Sequence, residues 1–119
     1  MLARHQNKMF AIKRYNTDTA TLDTLAEETA VLRRLMNGGG HPGIIEFFGE
    51  RPKAIFTTRN GKQESIVALV LEYAEGGELF SYLQKGSCDP TICRAYSLEL
   101  LSAVRYMHEP GVCHRDLKP

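Results

Sequence analysis

The chain has few cysteines, no long apolar run and almost no net charge, and each shortage excludes a class of protein. Its longest uninterrupted apolar stretch covers residues 66–71, far short of the roughly 20 residues that a membrane-spanning helix needs. The formal net charge of +1 provides no electrostatic attraction to nucleic acid or to an anionic membrane. We therefore predict neither nucleic acid nor a membrane as a partner.

The three cysteines, Cys88, Cys93 and Cys113, form an odd and sparse set. Their spacing matches no zinc-ligand pattern, so the sequence predicts no metal site. We expect reduced thiols, as in a cytoplasmic or nuclear protein. With 43% hydrophobic and 24% charged residues, the composition is typical of one small globular domain.

A lysine stands in the middle of an apolar strand pattern near the N-terminus. Residues 9–15 predict a β-strand, and the alternation of side chains places Met9, Ala11 and Lys13 on one face. In this position Lys13 either extends its amine out of an edge strand or serves a function.

An acid stands on the apolar stripe of the next predicted element. Residues 24–36 have the periodicity of a helix, and Thr24 and Glu27 have the spacing of a capping box. Glu28 lies on the stripe three residues after Leu25, so it faces either the core or a partner cation.

The rest of the chain predicts further strands and then two helices. The expected elements are short strands at residues 44–48 and 54–58 separated by Pro52, a two-residue hairpin at Asn60-Gly61, a buried strand at residues 65–73, a short helix at residues 78–84, and a helix that is capped by Asp89 and runs to about His108.

Six short motifs occur in order along these elements. They are Ala11-Ile12-Lys13, Glu28 on its helix, His41-Pro42, Leu71-Glu72-Tyr73-Ala74, Gly76-Gly77-Glu78-Leu79-Phe80, and His114-Arg115-Asp116-Leu117-Lys118-Pro119. With these motifs the chain resembles a eukaryotic-type protein kinase domain. The residues after Asp116 are similar to those of serine/threonine kinases, and residues 76–83 and 112–119 look closest to the calcium/calmodulin-dependent and related kinases.

The resemblance implies an α+β fold class with an incomplete kinase domain. Residues 1–75 would form the N-lobe, an antiparallel sheet plus one helix, together with the hinge, and residues 76–119 would form the first helices of the helical C-lobe. The family's glycine-rich loop would precede residue 1, and its metal-binding Asn and Asp would follow residue 119. The ligands of Mg²⁺ would therefore lie outside this chain.

Four catalytic residues follow from the resemblance. Lys13 would pair with the α- and β-phosphates of ATP, and Glu28 would orient Lys13. Asp116 would accept the proton of the substrate hydroxyl, and Lys118 would neutralise charge on the transferred phosphoryl group. These roles imply ATP and a protein substrate as partners.

The same resemblance implies an ATP-binding site at the end of the buried strand. Ala11 would pack over the adenine, and Leu71 would occupy the gatekeeper position. Glu72 and Ala74 would lie in the hinge, which reads adenine through backbone groups. Glu78 would contact the ribose or a basic substrate residue, or is a solvated acid in the first turn of its helix.

Three functions are compatible with these residues. The favoured function is ATP-dependent phosphorylation of protein serine or threonine, although we expect the 119 residues alone to be inactive. The first alternative is a catalytically inactive, truncated kinase-like protein that acts as an interaction module through the apolar stripe of its last helix. The second alternative is a domain that binds ATP without transferring phosphate.

Overall fold

The computed structural model describes residues 1–17, 19–84, 86 and 89–119. The described chain contains four strands and three helices, in this order: β1 (Leu2–His5), β2 (Lys8–Tyr15), α1 (Thr19–Asn37), β3 (Phe47–Thr57), β4 (Gln63–Glu72), α2 (Leu79–Leu83) and α3 (Pro90–His108).

The strands form one antiparallel sheet in the order β1-β2-β4-β3. Strand β4 has a neighbour on each side, and its middle residues from Ile66 to Leu69 are buried. This burial explains why the strand is a nearly continuous apolar run in the sequence. An antiparallel sheet with separate helices confirms the predicted α+β fold class, while the predicted division at residues 75 and 76 stays a prediction.

The core lies between one face of this sheet and α1. Tyr15 on β2 and Val67 on β4 are register partners, so their side chains leave the same face of the sheet. Leu25 of α1 packs against this pair and against Leu69, which is fully buried. Burial of these side chains fixes α1 against β2 and β4.

Helix α1 begins at Thr19, earlier than the predicted start at Thr24. Thr24 therefore lies inside the helix, and the predicted capping box with Glu27 is wrong. The spacing of a threonine and a glutamate three residues later occurs inside helices as well as at their ends, so it does not define a start by itself. The helix ends at Asn37, one residue beyond the predicted end.

Strand β3 is a single strand, although the sequence predicted two short strands separated by Pro52. Its register with β4 shifts between Arg51 and Ala54, so Pro52 lies at an irregularity of the ladder. Strand β3 is also at the edge of the sheet, where a proline needs no ladder partner on its outer side. For these two reasons the proline does not break the strand.

The turn predicted at Asn60-Gly61 is present, but its connection is longer than two residues. Residues 58–62 join β3 to β4, and the backbone N–H of Thr58 donates to the carbonyl of Lys62 at 2.8 Å. The N–H of Gly61 donates to the carbonyl of Thr58 at 2.9 Å. Gly61 has a φ of +83°, a conformation that glycine adopts without a steric penalty.

Helix α3 begins where the sequence predicted. The carboxylate of Asp89 accepts hydrogen bonds from the backbone N–H groups of Thr91 at 2.8 Å and Ile92 at 3.3 Å. Several apolar residues of α3 are exposed: Ile92, Tyr96, Leu98, Leu100 and Leu101. No helix within the described ranges has the length and apolar character needed to span a membrane.

The described cysteines differ in state. Cys93 is disulfide-bonded, whereas Cys113 is an exposed free thiol. The prediction of reduced thiols is therefore wrong for Cys93. Cys88, which was predicted in the same way, lies outside the described residues.

Candidate active site

Lys13 and Glu28 form a two-pronged ion pair. The ammonium of Lys13 on β2 lies 2.8 Å from Oε1 and 2.7 Å from Oε2 of Glu28 on α1. The Lys13 side chain is 52% exposed and the Glu28 side chain 29% exposed. The sequence left two alternatives for Glu28, which would face either the core or a partner cation. In the structure it faces a partner cation, the ammonium of Lys13.

Tyr15 joins this pair as a third member that the sequence analysis did not identify. Its hydroxyl donates a hydrogen bond to Oε2 of Glu28. The ammonium of Lys13 also lies 5.3 Å from the centre of the Tyr15 ring, within the range of a cation–π contact. The signal was present in the sequence, since Lys13 and Tyr15 are two residues apart and strand alternation puts both on one face.

The contacts within this group change two pKa values. For Lys13, partial burial acts to lower the pKa, but the hydrogen bonds and charges of Glu28 and Tyr15 outweigh it and raise the pKa above the ordinary 10.5. Burial, followed by the hydrogen bond to Glu28, raises the pKa of Tyr15 above the ordinary 10.0. At neutral pH Lys13 is therefore an ammonium ion and Tyr15 a neutral phenol, and both donate hydrogen bonds to Glu28.

The residues predicted to enclose adenine lie side by side at the end of the sheet. Ala11 on β2 and Leu71 on β4 are register partners, and both are half-buried. Lys13 is paired with Leu69 in the same register, so Ala11, Leu71 and Lys13 share the face that α1 covers.

The residues predicted to form the hinge, Glu72 and Ala74, lie at the last residue of β4 and just after it. The side chain of Glu72 accepts a hydrogen bond from the N–H of Glu46 at 3.0 Å, and the N–H of Glu72 donates to the carbonyl of Glu46 at 2.8 Å. Both bonds tie the start of the hinge to the segment before β3. Glu72 and Ala74 line an open cavity of about 600 Å³ together with the turn between β1 and β2. In the described part of the chain, the N–H of Ala74 has no hydrogen-bond partner.

Asp116 and Lys118 form a second group near the end of the described chain. The ammonium of Lys118 lies 2.8 Å from Oδ2 of Asp116, and both side chains are more than 70% exposed. The N–H of Asp116 donates to Nδ1 of His114 at 3.2 Å. Arg115, between them, has a φ of +64°, which turns the backbone sharply at this point.

Glu78 lies at the start of α2 and makes no side-chain capping hydrogen bond. It lines an open cavity of about 530 Å³ with Lys118 and with residues of α3, including Tyr96 and Leu100. The structure therefore brings Glu78 and Lys118 to one cavity, which the sequence did not predict.

The predicted site residues thus occur as two separate groups. Lys13 and Glu28 lie between the sheet and α1, whereas Asp116 and Lys118 lie on the loop after α3. No hydrogen bond or ion pair joins the two groups within the part of the chain that the structure describes. The described residues of the whole chain include no set of three His, Cys, Asp or Glu side chains that could hold a metal ion.

Comparison with known proteins identifies the family. The family model described as protein kinase domain matches residues 1–119. The chain belongs to the protein kinase domain family. This result confirms the resemblance to serine/threonine protein kinases on which the assignment of Lys13, Glu28 and Asp116 rests, although the individual roles of these residues stay predictions.

Relatives of this chain include serine/threonine kinases of yeast and plants. It is 32% identical over 118 residues to cAMP-dependent protein kinase type 3 of Saccharomyces cerevisiae. This alignment covers 98% of this chain and 27% of the relative. It is 31% identical over 117 residues to CBL-interacting serine/threonine-protein kinase 2 of Arabidopsis thaliana, which covers 98% of this chain and 24% of the relative. The chain therefore spans about a quarter of the length of these curated relatives.

Proposed function

We propose that the protein transfers the γ-phosphoryl group of ATP to a serine or threonine hydroxyl of another protein. The observation that carries this proposal is the Lys13–Glu28 pair, in which both carboxylate oxygens lie within 2.8 Å of the ammonium. A lysine that is aimed in this way by a helix offers a fixed positive charge for phosphate oxygens, which is the main requirement of phosphoryl transfer. We also propose a cytoplasmic or nuclear location, which the exposed free thiol of Cys113 supports and to which the disulfide of Cys93 would be an exception.

The residues around the end of β4 suit the base and ribose of ATP. The small side chain of Ala11 leaves room beside Leu71 for a flat ring, and the free N–H of Ala74 can donate to a ring nitrogen. Glu78 can accept hydrogen bonds from ribose hydroxyls. Within the described chain, the space beside Ala11, the N–H of Ala74 and the carboxylate of Glu78 therefore remain open to a ligand.

Asp116 and Lys118 suit the phosphoryl acceptor. The Asp116 carboxylate accepts the proton of the attacking hydroxyl, whose oxygen bonds to phosphorus while the bond to ADP breaks. The ammonium of Lys118, 2.8 Å from that carboxylate, is close enough to reduce the negative charge of the transferred group. Both side chains are exposed and accessible to a protein substrate.

The described residues do not fit a site for Mg²⁺, because no cluster of three suitable ligands exists among them. Since the chain spans about a quarter of its relatives, we propose that Mg²⁺ acts with ATP and is held by ligands outside these 119 residues.

The test is phosphoryl transfer from γ-labelled ATP to a mixture of serine and threonine peptides by the full-length protein. We expect transfer that Lys13→Met and Asp116→Asn each reduce by about 100-fold or more. The matched control is Lys53→Met, which removes an exposed lysine of β3 and leaves transfer unchanged. Stabilisation by ATP without transfer would favour the nucleotide-binding alternative.

The inactive interaction module is the second candidate, and one observation favours it. The exposed residues of α3 include Leu98 at 53% and Leu101 at 63% exposure, so the helix presents an apolar surface. Under this alternative, the protein neither transfers phosphate nor is stabilised by ATP, and Leu101→Glu abolishes capture of a protein partner. Transfer that depends on Lys13 and Asp116 excludes it.

A further inference from the structure

Tyr15 combines a buried ring with a hydroxyl at the candidate active site. The residue is only 8% exposed and belongs to the core cluster with Leu25, Val67 and Leu69. Its hydroxyl nevertheless leaves that core and donates to Glu28. A ring that is packed on the sheet has little freedom to turn, so the position of its hydroxyl is fixed by the fold rather than by the site.

The ion pair beside it is much less constrained. Half of the Lys13 side chain and nearly a third of the Glu28 side chain are exposed, and ion pairs of that exposure hold their geometry weakly. Oε2 of Glu28 accepts from both the Tyr15 hydroxyl and the Lys13 ammonium, whereas among the described residues Oε1 accepts from Lys13 alone. The phenol is therefore the more rigid of the two donors that the carboxylate has.

Tyr15 also contacts the lysine directly. The Lys13 ammonium lies 5.3 Å from the centre of the Tyr15 ring, so one tyrosine contacts both partners of the ion pair. The two residues are on the same strand and the same face, which keeps their separation constant. The contacts form a closed group of three side chains from β2 and α1.

We propose that Tyr15 is a positioning residue, whose buried phenol holds the Glu28 carboxylate against the Lys13 ammonium before any nucleotide binds. The inference rests on the proposed function for its catalytic meaning, because an aimed Lys13 matters only if it meets phosphate. The positioning itself is a property of the three side chains and can be measured without ATP.

A purely structural role of Tyr15 makes a different prediction. If the residue only fills the core, its ring matters and its hydroxyl does not. Tyr15→Phe keeps the ring and removes the hydroxyl, so it separates the two roles. Under the positioning role, Tyr15→Phe loosens Glu28, and the Lys13 amine then loses protons more readily and becomes more nucleophilic.

The experiment is competitive acetylation of the full-length, nucleotide-free protein with trace acetic anhydride at pH 8, read by mass spectrometry. The rate at Lys13 is divided by the rate at Lys53, an exposed lysine of the same chain. We expect Tyr15→Phe to raise this ratio by about three- to tenfold, which is the scale of one typical hydrogen bond. Glu28→Gln removes the negative charge beside Lys13 and therefore gives the largest Lys13-to-Lys53 rate ratio that we expect.

The matched control is Tyr106→Phe. The Tyr106 hydroxyl is also partly buried and also donates to α1, at 2.7 Å from the carbonyl of Leu35, but it does not touch Lys13 or Glu28. We expect this variant to leave the Lys13 ratio at the wild-type value. An unchanged or lower ratio in folded Tyr15→Phe overturns the proposal, as does an equal rise in Tyr106→Phe.

A reciprocal measurement keeps the proposal testable if Tyr15→Phe does not fold. In Glu28→Gln, the ¹³Cζ resonance of Tyr15 is followed through a pH titration, and we expect the pKa of the phenol to fall because its acceptor is no longer charged. No change relative to wild type overturns the proposal. Both measurements use nucleotide-free protein, so they test the positioning by Tyr15 even if the protein transfers no phosphate. Conversely, a negative result in both leaves the test of phosphoryl transfer unaffected.

Discussion

Replacing Lys13 by methionine should separate the active site from the fold. The substitution keeps an unbranched side chain on β2 and removes only the ammonium that Glu28 and the Tyr15 ring contact. Because the Lys13 side chain is half exposed, most of its interaction with Glu28 is screened by water. We therefore expect a large loss of phosphoryl transfer and a small loss of stability.

The size of each effect follows from the geometry. An ion pair with side chains 52% and 29% exposed couples by about 0.5 to 1 kcal/mol, which corresponds to a change in melting temperature of roughly 1–4 °C. Loss of a preorganised charge at the reacting phosphate, in contrast, costs about 100-fold or more in rate, which is equivalent to about 2.7 kcal/mol.

A double-mutant cycle of Lys13→Met and Glu28→Gln in the full-length protein measures both quantities. Urea unfolding gives the coupling free energy, and γ-labelled ATP gives the transfer rate. A coupling above about 3 kcal/mol would refute the reasoning, because it would make the pair a buried structural element. Retention of wild-type transfer in Lys13→Met would refute the proposed role of the lysine.

Three further outcomes test the core, a buried hydroxyl and a helix cap. Leu69→Ala, at the fully buried centre of β4, should lower the free energy of unfolding by about 3 kcal/mol, whereas Ile55→Ala, 71% exposed on β3, should cost less than about 1 kcal/mol in urea unfolding. Thr29→Val should raise the free energy of unfolding by about 1 kcal/mol, because the hydroxyl of Thr29 is buried and has no hydrogen-bond partner within the described residues. A decrease would mean that this hydroxyl does have a hydrogen-bond partner. The backbone N–H groups of α3 hold the pKa of Asp89 below the ordinary 3.8, so its stabilisation is complete above that pH and is lost as the pH falls through the lower folded pKa. Thermal unfolding of Asp89→Ala should therefore show a lower melting temperature at pH 7 and a weaker decline below pH 4.

Local patterns predicted the elements well and their boundaries less well. Strand β2 and helix α3 agree with the sequence because alternation and an Asp-Pro start are local signals. The start of α1 was wrongly predicted at Thr24, because the spacing of a capping box also occurs inside helices. The continuity of β3 through Pro52 depends on its place at the sheet edge, which is a tertiary property that no local pattern contains.

The candidate site shows the same division. The resemblance to kinases, together with the position of Glu28 on an apolar stripe, predicted its partnership with Lys13, which the structure contains. Tyr15 was overlooked because a tyrosine in a strand is usually a core residue, and its ring does pack in the core. Only the three-dimensional position of its hydroxyl distinguishes the two roles. The shared cavity of Glu78 and Lys118 likewise depends on how the chain after α3 returns to α2.

Helix α1 is bonded to its neighbours at two places, one at Glu28 in its middle and one near its C-terminal end. Tyr15 of β2 holds Glu28, while Tyr106 of α3 donates to the carbonyl of Leu35 near the C-terminal end of α1. A movement of α3 relative to the sheet would therefore pull α1 at one end while its middle stays bonded to β2. Because the Lys13–Glu28 pair is partly exposed, we expect its geometry to depend on the Tyr15 contact beside it rather than on the distant Tyr106 contact. The reactivity of the Lys13 amine accordingly reports the contact at Glu28, and the Tyr106→Phe control tests whether the contact at Leu35 affects it.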